Sequence, residues 1–361
     1  MTIQQIVSPD KVESTLLKIW EGLSKENKMR ASLFNLIIFS RYSSRTDYLR
    51  SIAQKVVEKF PCRILFISED PEASESYLKT AVSVVMPQGQ EGTIACDQID
   101  IGVAGKNIRQ VPYVLLPHIL PDLPVTLLWG EDPSQSHPLF QPLAKLASRV
   151  IFDSESSDSL LAFAKTVLAL KEKCACDIAD LNWARTEGWR DLFAFIFDRE
   201  ERLKQLNHLS KFVIVYNARP TEFFCHLKIQ SMYLLAWFQG RLGWKLKASK
   251  NLRFQFSWKK KHIHAAVETK HWENIGPGTI ISVHLETSQK ETFDCTRIHE
   301  HPHFATVQIA STEKCDIPYQ FVFGQTATGH SLVKEICMRG TSEHYLEMLK
   351  LLKTLDKDTL C

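Results

Sequence analysis

The chain has 361 residues, of which 44% are hydrophobic and 24% are charged. This composition is typical of a globular protein and excludes a disordered or fibrous one, and the length suits two domains of ordinary size. The formal net charge of +3 is too small to indicate nucleic acid as the partner by itself.

Apolar runs alternate with amphipathic stretches over the first 170 or so residues. Ala31–Phe39 and Cys62–Ile67 predict buried strands, with a helix over Thr46–Phe60 between them. This order is the βαβ pattern, which places parallel strands in one sheet. Later segments continue the alternation, with strands predicted over Val82–Met86, Thr93–Val103, Val125–Trp129 and Val150–Phe152, and helices over Pro138–Ala147 and Ser159–Lys171. We expect residues 1–172 to form an open, mostly parallel α/β domain.

A short polar connection, Lys171–Asp177, leads to the aromatic-rich stretch Asp180–Asp198. We predict one helix over Asn182–Phe197, with Asp180 or Asn182 as its N-cap. One apolar stripe at helical spacing predicts a buried face, and it consists of Trp189, Leu192, Phe193, Ile196 and Phe197. We expect residues 173–208 to form a helical connection between two domains.

Trp183 and Arg185 lie outside that stripe, and two interpretations remain open for them. Either Trp183 packs into a neighbouring domain and Arg185 pairs with a carboxylate, or the two belong to a surface that binds a partner or an anion.

Residues 209–361 are expected to form an α+β domain. A strand near Lys211–Tyr216 and a helix over Thr221–Leu242 precede a change of apolar period from helical to two. Alternation in Leu252–Trp258, Ile281–Leu285 and Ala305–Ile309 predicts half-buried antiparallel strands. Helices over Ser331–Met338 and Ser342–Thr354 complete a sheet that carries its helices on a single face.

Two patterns resemble ligand sites without completing one. Gly324–Ser331 has the order of a phosphate loop, but His330 stands where a lysine must reach the phosphates. A nucleotide site is therefore not indicated, although a simple anion at the helix start stays open. Alternate histidines at 262 and 264, and at 299, 301 and 303, could present imidazoles to a metal on a strand. Pro302 interrupts the second set, so we expect no metal and no cofactor.

A basic segment follows Trp244. Its cations lie among Phe254, Phe256 and Trp258, and they are Lys245, Lys247, Lys250, Arg253, Lys259, Lys260 and Lys261. Such interleaving occurs in single-strand nucleic-acid platforms. Because the alternation places the aromatic side chains together on one face, a core-facing strand with a solvated basic end is favoured. The functional alternative is a basic surface that recruits an acidic protein.

Catalytic and targeting signatures are missing from the sequence. There is no G-x-G-x-x-G after the first strand, no G-x-S-x-G and no H-E-x-x-H, which favours a binding protein over an enzyme. No signal peptide begins the chain, and the apolar run Val111–Trp129 contains four prolines, so no membrane span is expected. Nine scattered cysteines without C-x-x-C predict a reducing cytoplasm, with exposed thiols expected at Cys174, Cys176 and Cys361.

Four segments together resemble the OpcA family of glucose-6-phosphate dehydrogenase assembly proteins. They are FPCRIL (Phe60–Leu65), LLPHILPDLPVTLLW (Leu115–Trp129), DLNWARTEGWRDLFAFIFD (Asp180–Asp198) and LLAWFQGRLGW (Leu234–Trp244). The resemblance implies a non-enzymatic protein that binds the dehydrogenase, promotes its assembly into the active oligomer and raises its activity in the oxidative pentose phosphate pathway. Neither nucleic acid nor a membrane is implied as a partner.

Carried over position by position, the resemblance supplies ten candidates for partner binding. They are Asp122, Leu123, Pro124 and Trp129 of one motif, and Asp180, Asn182, Trp183, Arg185, Trp189 and Arg190 of the other. Two other functions stay open: an enzyme acting on a sugar phosphate through Arg185, His330 or the histidines, and a nucleic-acid binder using residues 245–261.

Overall fold

The structure, a computed structural model, describes residues 4–87, 94–221, 226–259, 261–324 and 330–354. The chain divides into two compact units, and each is assembled from separate parts of the sequence. Unit 1 comprises Met1–Asp153, Ala169–Leu181 and Ala327–Thr341, and unit 2 comprises Ser154–Leu168, Asn182–Thr326 and Ser342–Cys361. The expected division at residues 172 and 208 stays a prediction.

The regular elements are numbered along the chain. The strands are β1 (Gln5–Val7), β2 (Met29–Arg30), β3 (Asn35–Arg41), β4 (Arg63–Glu69), β5 (Leu78–Val85), β6 (Ile94–Val103), β7 (Val125–Trp129), β8 (Arg149–Phe152), β9 (Asp177–Asp180), β10 (Leu209–Asn217), β11 (Lys245–Lys250), β12 (Arg253–Trp258), β13 (Lys261–Lys270), β14 (Ile280–Thr287), β15 (Thr292–Arg297), β16 (Phe304–Ala310) and β17 (Tyr319–Val322). The α-helices are α1 (Val12–Ser24), α2 (Ser44–Val57), α3 (Val111–Leu115), α4 (Phe140–Leu146), α5 (Leu160–Lys173), α6 (Leu181–Arg185), α7 (Glu187–Ile196), α8 (Glu200–Gln205), α9 (Ile229–Leu242), α10 (His330–Cys337) and α11 (Glu343–Leu352).

Unit 1 is built on a nine-stranded sheet in the order β1-β5-β6-β4-β3-β7-β8-β9, with β2 beside β6. Every pairing from β6 to β9 is parallel, whereas β1 and β5 pair antiparallel. Leu36, Ile37, Ile38 and Phe39 of β3 are all 0% exposed, because a central parallel strand is covered on both faces. The predicted open, mostly parallel α/β sheet is confirmed.

Unit 2 is built on an eight-stranded sheet in the order β11-β12-β13-β10-β14-β15-β16-β17. All of its pairings are antiparallel except that of β10 with β13. Phe254, Phe212 and Phe293 lie in one register row and are buried. On this face, Phe238 of α9 lies 4.7 Å from Phe212 and 4.9 Å from Phe193 of α7, ring centroid to ring centroid. The predicted α+β architecture is confirmed, and the parallel pair is an addition to it.

Several local predictions differ from the structure. The single helix over Asn182–Phe197 is instead two helices, α6 and α7, separated at Thr186. The connection predicted over Lys171–Asp177 is shorter, because α5 continues to Lys173 and the edge strand β9 begins at Asp177. Asp180, predicted as a possible N-cap, is the last residue of β9. Only the two residues Ile178 and Ala179 stand between aspartates in β9, too few to register as an apolar run.

The helix predicted over Thr221–Leu242 begins at Ile229, and residues 222–225 lie outside the described ranges.

The expected exposed thiols also differ from the structure. Cys176 is buried and Cys174 is half-buried, because β9 brings this stretch against the sheet. Cys361 lies outside the described ranges.

Candidate functional site

Two of the motif segments meet at the amino ends of the parallel strands in unit 1. Arg63, the first residue of β4, is 2% exposed and donates from Nε and Nη2 to Oδ2 of Asp97, at 3.0 and 2.7 Å. Asp97 is 0% exposed and also accepts bonds from Arg30 and from the Trp20 indole. A buried carboxylate shared by two guanidinium groups and an indole is fully satisfied, as burial of a charge requires.

Arg63 also connects this network to the proline-rich motif. Its Nη1 donates to the His118 carbonyl at 2.8 Å and to Oε1 of Glu13 at 2.8 Å. Glu13 lies 3.0 Å from Nδ1 of His118. Burial raises the pKa of Glu13, but the contacts with His118 and Arg63 outweigh it and lower the pKa to about 2. The carboxylate therefore stays charged and holds His118 in place.

The loop that follows His118 is fixed by the side chain of Asn35. The Asn35 amide accepts from the Leu120 backbone N–H at 2.8 Å and donates to the carbonyls of Leu120 and Leu123 at 3.1 and 3.4 Å. Asp122 has a φ of 63°, a left-handed conformation that aspartate tolerates better than most residues. Asp122 and Pro124 are exposed and Leu123 is half-buried. The structure thus presents these three residues on a rigid base.

Trp129, at the other end of β7, belongs to the core. It is 0% exposed and stacks on Phe39 with the ring centroids 4.2 Å apart. Around it, the carboxyl ends of the strands carry charges that neutralise one another. Arg45 pairs with Asp153 at 2.6 Å, and Glu69 contacts both His137 and Arg41 at 2.9 and 3.4 Å.

These carboxyl ends flank β3, which has β4 on one side and β7 on the other, so that the strand order reverses there. Open α/β sheets bind nucleotide phosphates at such a point. Here the free amides at the start of α2 are capped by Ser43 and Thr46, and a Cβ added at Gly130 would lie 2.8 Å from the Phe39 carbonyl oxygen. Carboxylates and tight packing at this edge do not fit a dinucleotide.

The Asp180–Arg190 segment is divided between the units after Leu181. Asp180 is 0% exposed at the end of β9 in unit 1. In unit 2, Asn182 is also 0% exposed and donates to the Ser154 hydroxyl at 3.0 Å. Arg185 donates to Oδ1 of Asn182 and to the buried carboxylate of Glu155, at 2.9 and 2.5 Å. Arg185 therefore pairs with a carboxylate of its own unit.

The side chain of Arg190 stabilises the break between α6 and α7. In a continuous helix the Trp183 carbonyl would accept from residue 187. It instead accepts from the Thr186 N–H, from the Thr186 hydroxyl at 2.9 Å and from Nη1 of Arg190 at 2.8 Å. The Arg190 guanidinium also lies 3.6 Å from the centroid of the Trp183 ring, and Trp183 is 6% exposed. This cation–π contact and the carbonyl bonds hold the turn.

Trp189 packs beside a buried cation that the sequence did not reveal. Arg297 is 5% exposed, and its guanidinium lies 4.2 Å from the Phe323 ring centroid and 5.6 Å from that of Trp189. It donates to the carbonyls of Ile280 and Pro302, and burial lowers its pKa to about 10. The available signal was its register, since Arg297 continues the inward-facing positions of β15.

The ten candidates thus differ in accessibility. Trp129, Asp180, Asn182, Trp183 and Trp189 are buried; Leu123, Arg185 and Arg190 are half-buried; Asp122 and Pro124 are exposed. The last five are accessible to a partner as they stand, whereas the first five are covered by their own unit. A partner-binding role stays a prediction for all ten.

The other sequence patterns supply little chemistry. In the phosphate-loop-like motif, residues 325–329 lie outside the described ranges. Within the described ranges, no three His, Cys, Asp or Glu side chains come together as a metal site would require. The helices described here all fall short of the length and apolar character that a bilayer span needs.

Comparison with known proteins gives two matches that together cover most of the chain. Residues 53–168 match the family described as glucose-6-phosphate dehydrogenase subunit N-terminal domain, and residues 176–349 match the corresponding C-terminal domain. A segment of 200 residues is 28% identical to a protein from Synechocystis that bears the name OpcA of the OxPP cycle, and it covers 54% of this chain and 39% of that protein. A protein of the same name from Nostoc punctiforme is 27% identical over 202 residues, or 54% of this chain and 40% of that one.

Solved structures resemble the chain only distantly. Levoglucosan dehydrogenase with NADH has a TM-score of 0.49 at 9% identity, covering 92% of this chain and 96% of that one. The regulator Gal80p of Kluyveromyces lactis has a TM-score of 0.48 at 8% identity, covering 93% and 95%. Similarity at this level carries no argument about function.

Proposed function

Because the chain belongs to the OpcA family of glucose-6-phosphate dehydrogenase subunit proteins, we propose that it is a non-enzymatic assembly factor and allosteric activator of that dehydrogenase. The observation that carries the proposal is the match of both family domains, over residues 53–168 and 176–349. The matched segment spans about two-fifths of the curated relatives, so the partner and the activity are proposed for this chain.

The mechanism is a shift in population. A protein that binds the active oligomer more tightly than the inactive form moves the equilibrium toward the active oligomer. A tenfold shift needs about 1.4 kcal/mol of differential affinity. A few well-placed contacts supply that amount, so neither a large interface nor a catalytic group in this chain is required.

We assign the direct contact to the loop Asp122–Pro124. Its residues are accessible, and Asn35 fixes their backbone, which lowers the entropy lost on binding. The Asp180–Arg190 segment acts by positioning, because its aromatic and amide side chains are buried while Arg185 and Arg190 bond to their own unit.

The alternative functions have weaker support. A sugar-phosphate enzyme using Arg185 would need that guanidinium for substrate, but it is paired with Glu155 and Asn182. A nucleic-acid platform would need several accessible aromatic rings, but Phe254 and Phe256 are at most 1% exposed and Trp258 is half-buried.

A binding titration with the cognate dehydrogenase tests the assignment. Asp122→Asn removes a charge while tolerating the positive φ, and Leu123→Ala removes a half-buried apolar group. We expect each change to weaken binding about tenfold or less and the pair to weaken it further. Asp198→Ala, at an exposed aspartate of unit 2, is the matched control. Full affinity in the double variant would refute the loop assignment, whereas absence of binding by the unaltered protein would refute the proposed function.

A further inference from the structure

Charge is strongly segregated along this chain. Residues 223–267 contain nine Lys and Arg and no Asp or Glu, which leaves 35 basic against 41 acidic residues elsewhere. The small net charge therefore conceals a basic segment within an acidic remainder. Three strands, β11, β12 and β13, lie within or overlap this segment, so the charge belongs to one end of the eight-stranded sheet.

The alternation of these strands places the basic side chains on the face opposite the aromatic core. Phe254 and Phe256 of β12 are buried on the helix-covered side, so Arg253, Gln255 and Ser257 point the other way. We call the exposed basic residues of this side the basic face; its cations are Lys211, Lys245, Lys250 and Arg253, and the imidazoles of His262 and His264 lie between them.

The strand register brings the basic face together as one surface. Lys250 lies opposite Arg253, and Lys245 lies opposite Ser257, which in turn lies opposite His262. His264 lies opposite Lys211 of β10. Between these cations the face carries short or uncharged side chains, namely Ala248, Gln255, Ser257 and Ala266. The result is one surface that carries lysine or arginine on β10, β11 and β12 and imidazoles on β13. Its limits are the exposed Glu268 and the half-buried Glu286.

A simpler explanation accounts for only part of this arrangement. Lysines on an edge strand prevent unwanted pairing between sheets, and β11 is the edge of this sheet. That purpose requires charge on β11 alone. Arg253 and Lys211 lie on β12 and β10, each of which is paired on both sides, so edge protection does not explain their charges.

We propose that the basic face is a docking surface for an acidic surface of a protein. The choice of protein over nucleic acid follows from the aromatic side chains of β12. Phe254 and Phe256 are buried in the core, and the half-buried Trp258 lies in the same alternating register, on the side away from Arg253. Complementary charge on two proteins steers their encounter and raises the rate of association. The inference rests on the proposed function where it identifies the acidic protein as the dehydrogenase, and the experiment below separates the two.

The test uses a double charge reversal, Lys245→Glu with Arg253→Glu. Arg253→Glu places a carboxylate opposite Lys250, and Lys245→Glu lies opposite Ser257, so neither creates a like-charge cross-strand pair. The control is Lys350→Glu with Lys353→Glu, at exposed positions at the end of α11 in the same unit. Both variants change the net charge by the same amount, and thermal unfolding verifies that both are folded.

Association is measured for the cognate dehydrogenase, for poly-L-glutamate and for a single-stranded DNA oligonucleotide of equal charge. We expect the face variant to lose about tenfold in association rate for the dehydrogenase at low salt and to lose poly-L-glutamate binding, while the control stays within about twofold of the unaltered protein. Unchanged rates in the face variant overturn the proposal, as does a preference for the oligonucleotide over poly-L-glutamate. Binding of poly-L-glutamate without binding of the dehydrogenase would keep the docking surface and refute the proposed function.

Discussion

Replacement of Asp97 by asparagine is predicted to destabilise unit 1 more than any surface change. Asp97 is 0% exposed and is the common acceptor for Arg63, Arg30 and Trp20. Asp97→Asn keeps the size of the side chain but removes the charge. Among the described residues, Arg63, which is 2% exposed, then retains the half-exposed carboxylate of Glu13 as its anionic partner.

The expected magnitude follows from the burial of the pair. Removal of one partner of a buried ion pair costs about 3–5 kcal/mol, because the remaining charge stays desolvated. For a unit of this size, each kcal/mol lowers the unfolding midpoint by about 2–4 °C. We therefore expect the unfolding midpoint to fall by about 6–20 °C in a calorimetric scan. The free energy of unfolding measured in urea should fall by about 3–5 kcal/mol.

Glu58→Gln is the control for this prediction. Its partner Lys55 has a side chain that is 45% exposed, so loss of that pair is expected to cost less than about 1 kcal/mol. A loss below about 1 kcal/mol for Asp97→Asn as well would show that the network is not stabilising. Because Arg63 also holds the His118 carbonyl, the same variant should bind the dehydrogenase more weakly.

Three further outcomes are expected. Glu13 has its pKa lowered from 4.5 to about 2 in the folded chain, so it contributes stability above pH 4.5 that is lost as the pH falls toward 2. The difference in unfolding midpoint between the unaltered protein and Glu13→Gln should therefore shrink on acidification. A difference that stays constant with pH would contradict this. Arg297→Met removes the guanidinium that donates to the carbonyls of Ile280 and Pro302. The free energy of unfolding measured in urea should fall by about 2–4 kcal/mol. An unchanged free energy would show that these two bonds do not stabilise the unit. Burial raises the pKa of the Cys295 thiol, whereas Cys315 is exposed. Mass spectrometry should therefore find Cys315 alkylated before Cys295. Labelling of Cys295 before Cys315 would contradict the structure.

The sheet cores could be predicted from the sequence because their signal is local. Central parallel strands are buried on both faces and appear as unbroken apolar runs, as in β3 and β4. Half-buried strands show a period of two, as in β12 and β16. The buried apolar stripe predicted for α7 is confirmed for the same reason, since Trp189, Phe193 and Ile196 are all buried.

Other features depend on partners that are distant in sequence. The break between α6 and α7 depends on the Arg190 side chain reaching back seven residues to the Trp183 carbonyl, which an apolar pattern does not record. Arg63 and Asp97 are 34 residues apart, and Arg185 and Glu155 are 30 apart. Charged residues at these positions are indistinguishable from surface charges until the fold brings them together, so burial of the motif residues could not be predicted.

Sedimentation velocity of the cognate dehydrogenase, with and without this protein, tests whether the chain promotes assembly of the dehydrogenase. The activity of the dehydrogenase is measured on the same samples. If the chain is an assembly factor, its addition moves the dehydrogenase to a faster-sedimenting species and raises the activity of the dehydrogenase in proportion to the amount of that species. An unchanged sedimentation profile together with unchanged activity would contradict it.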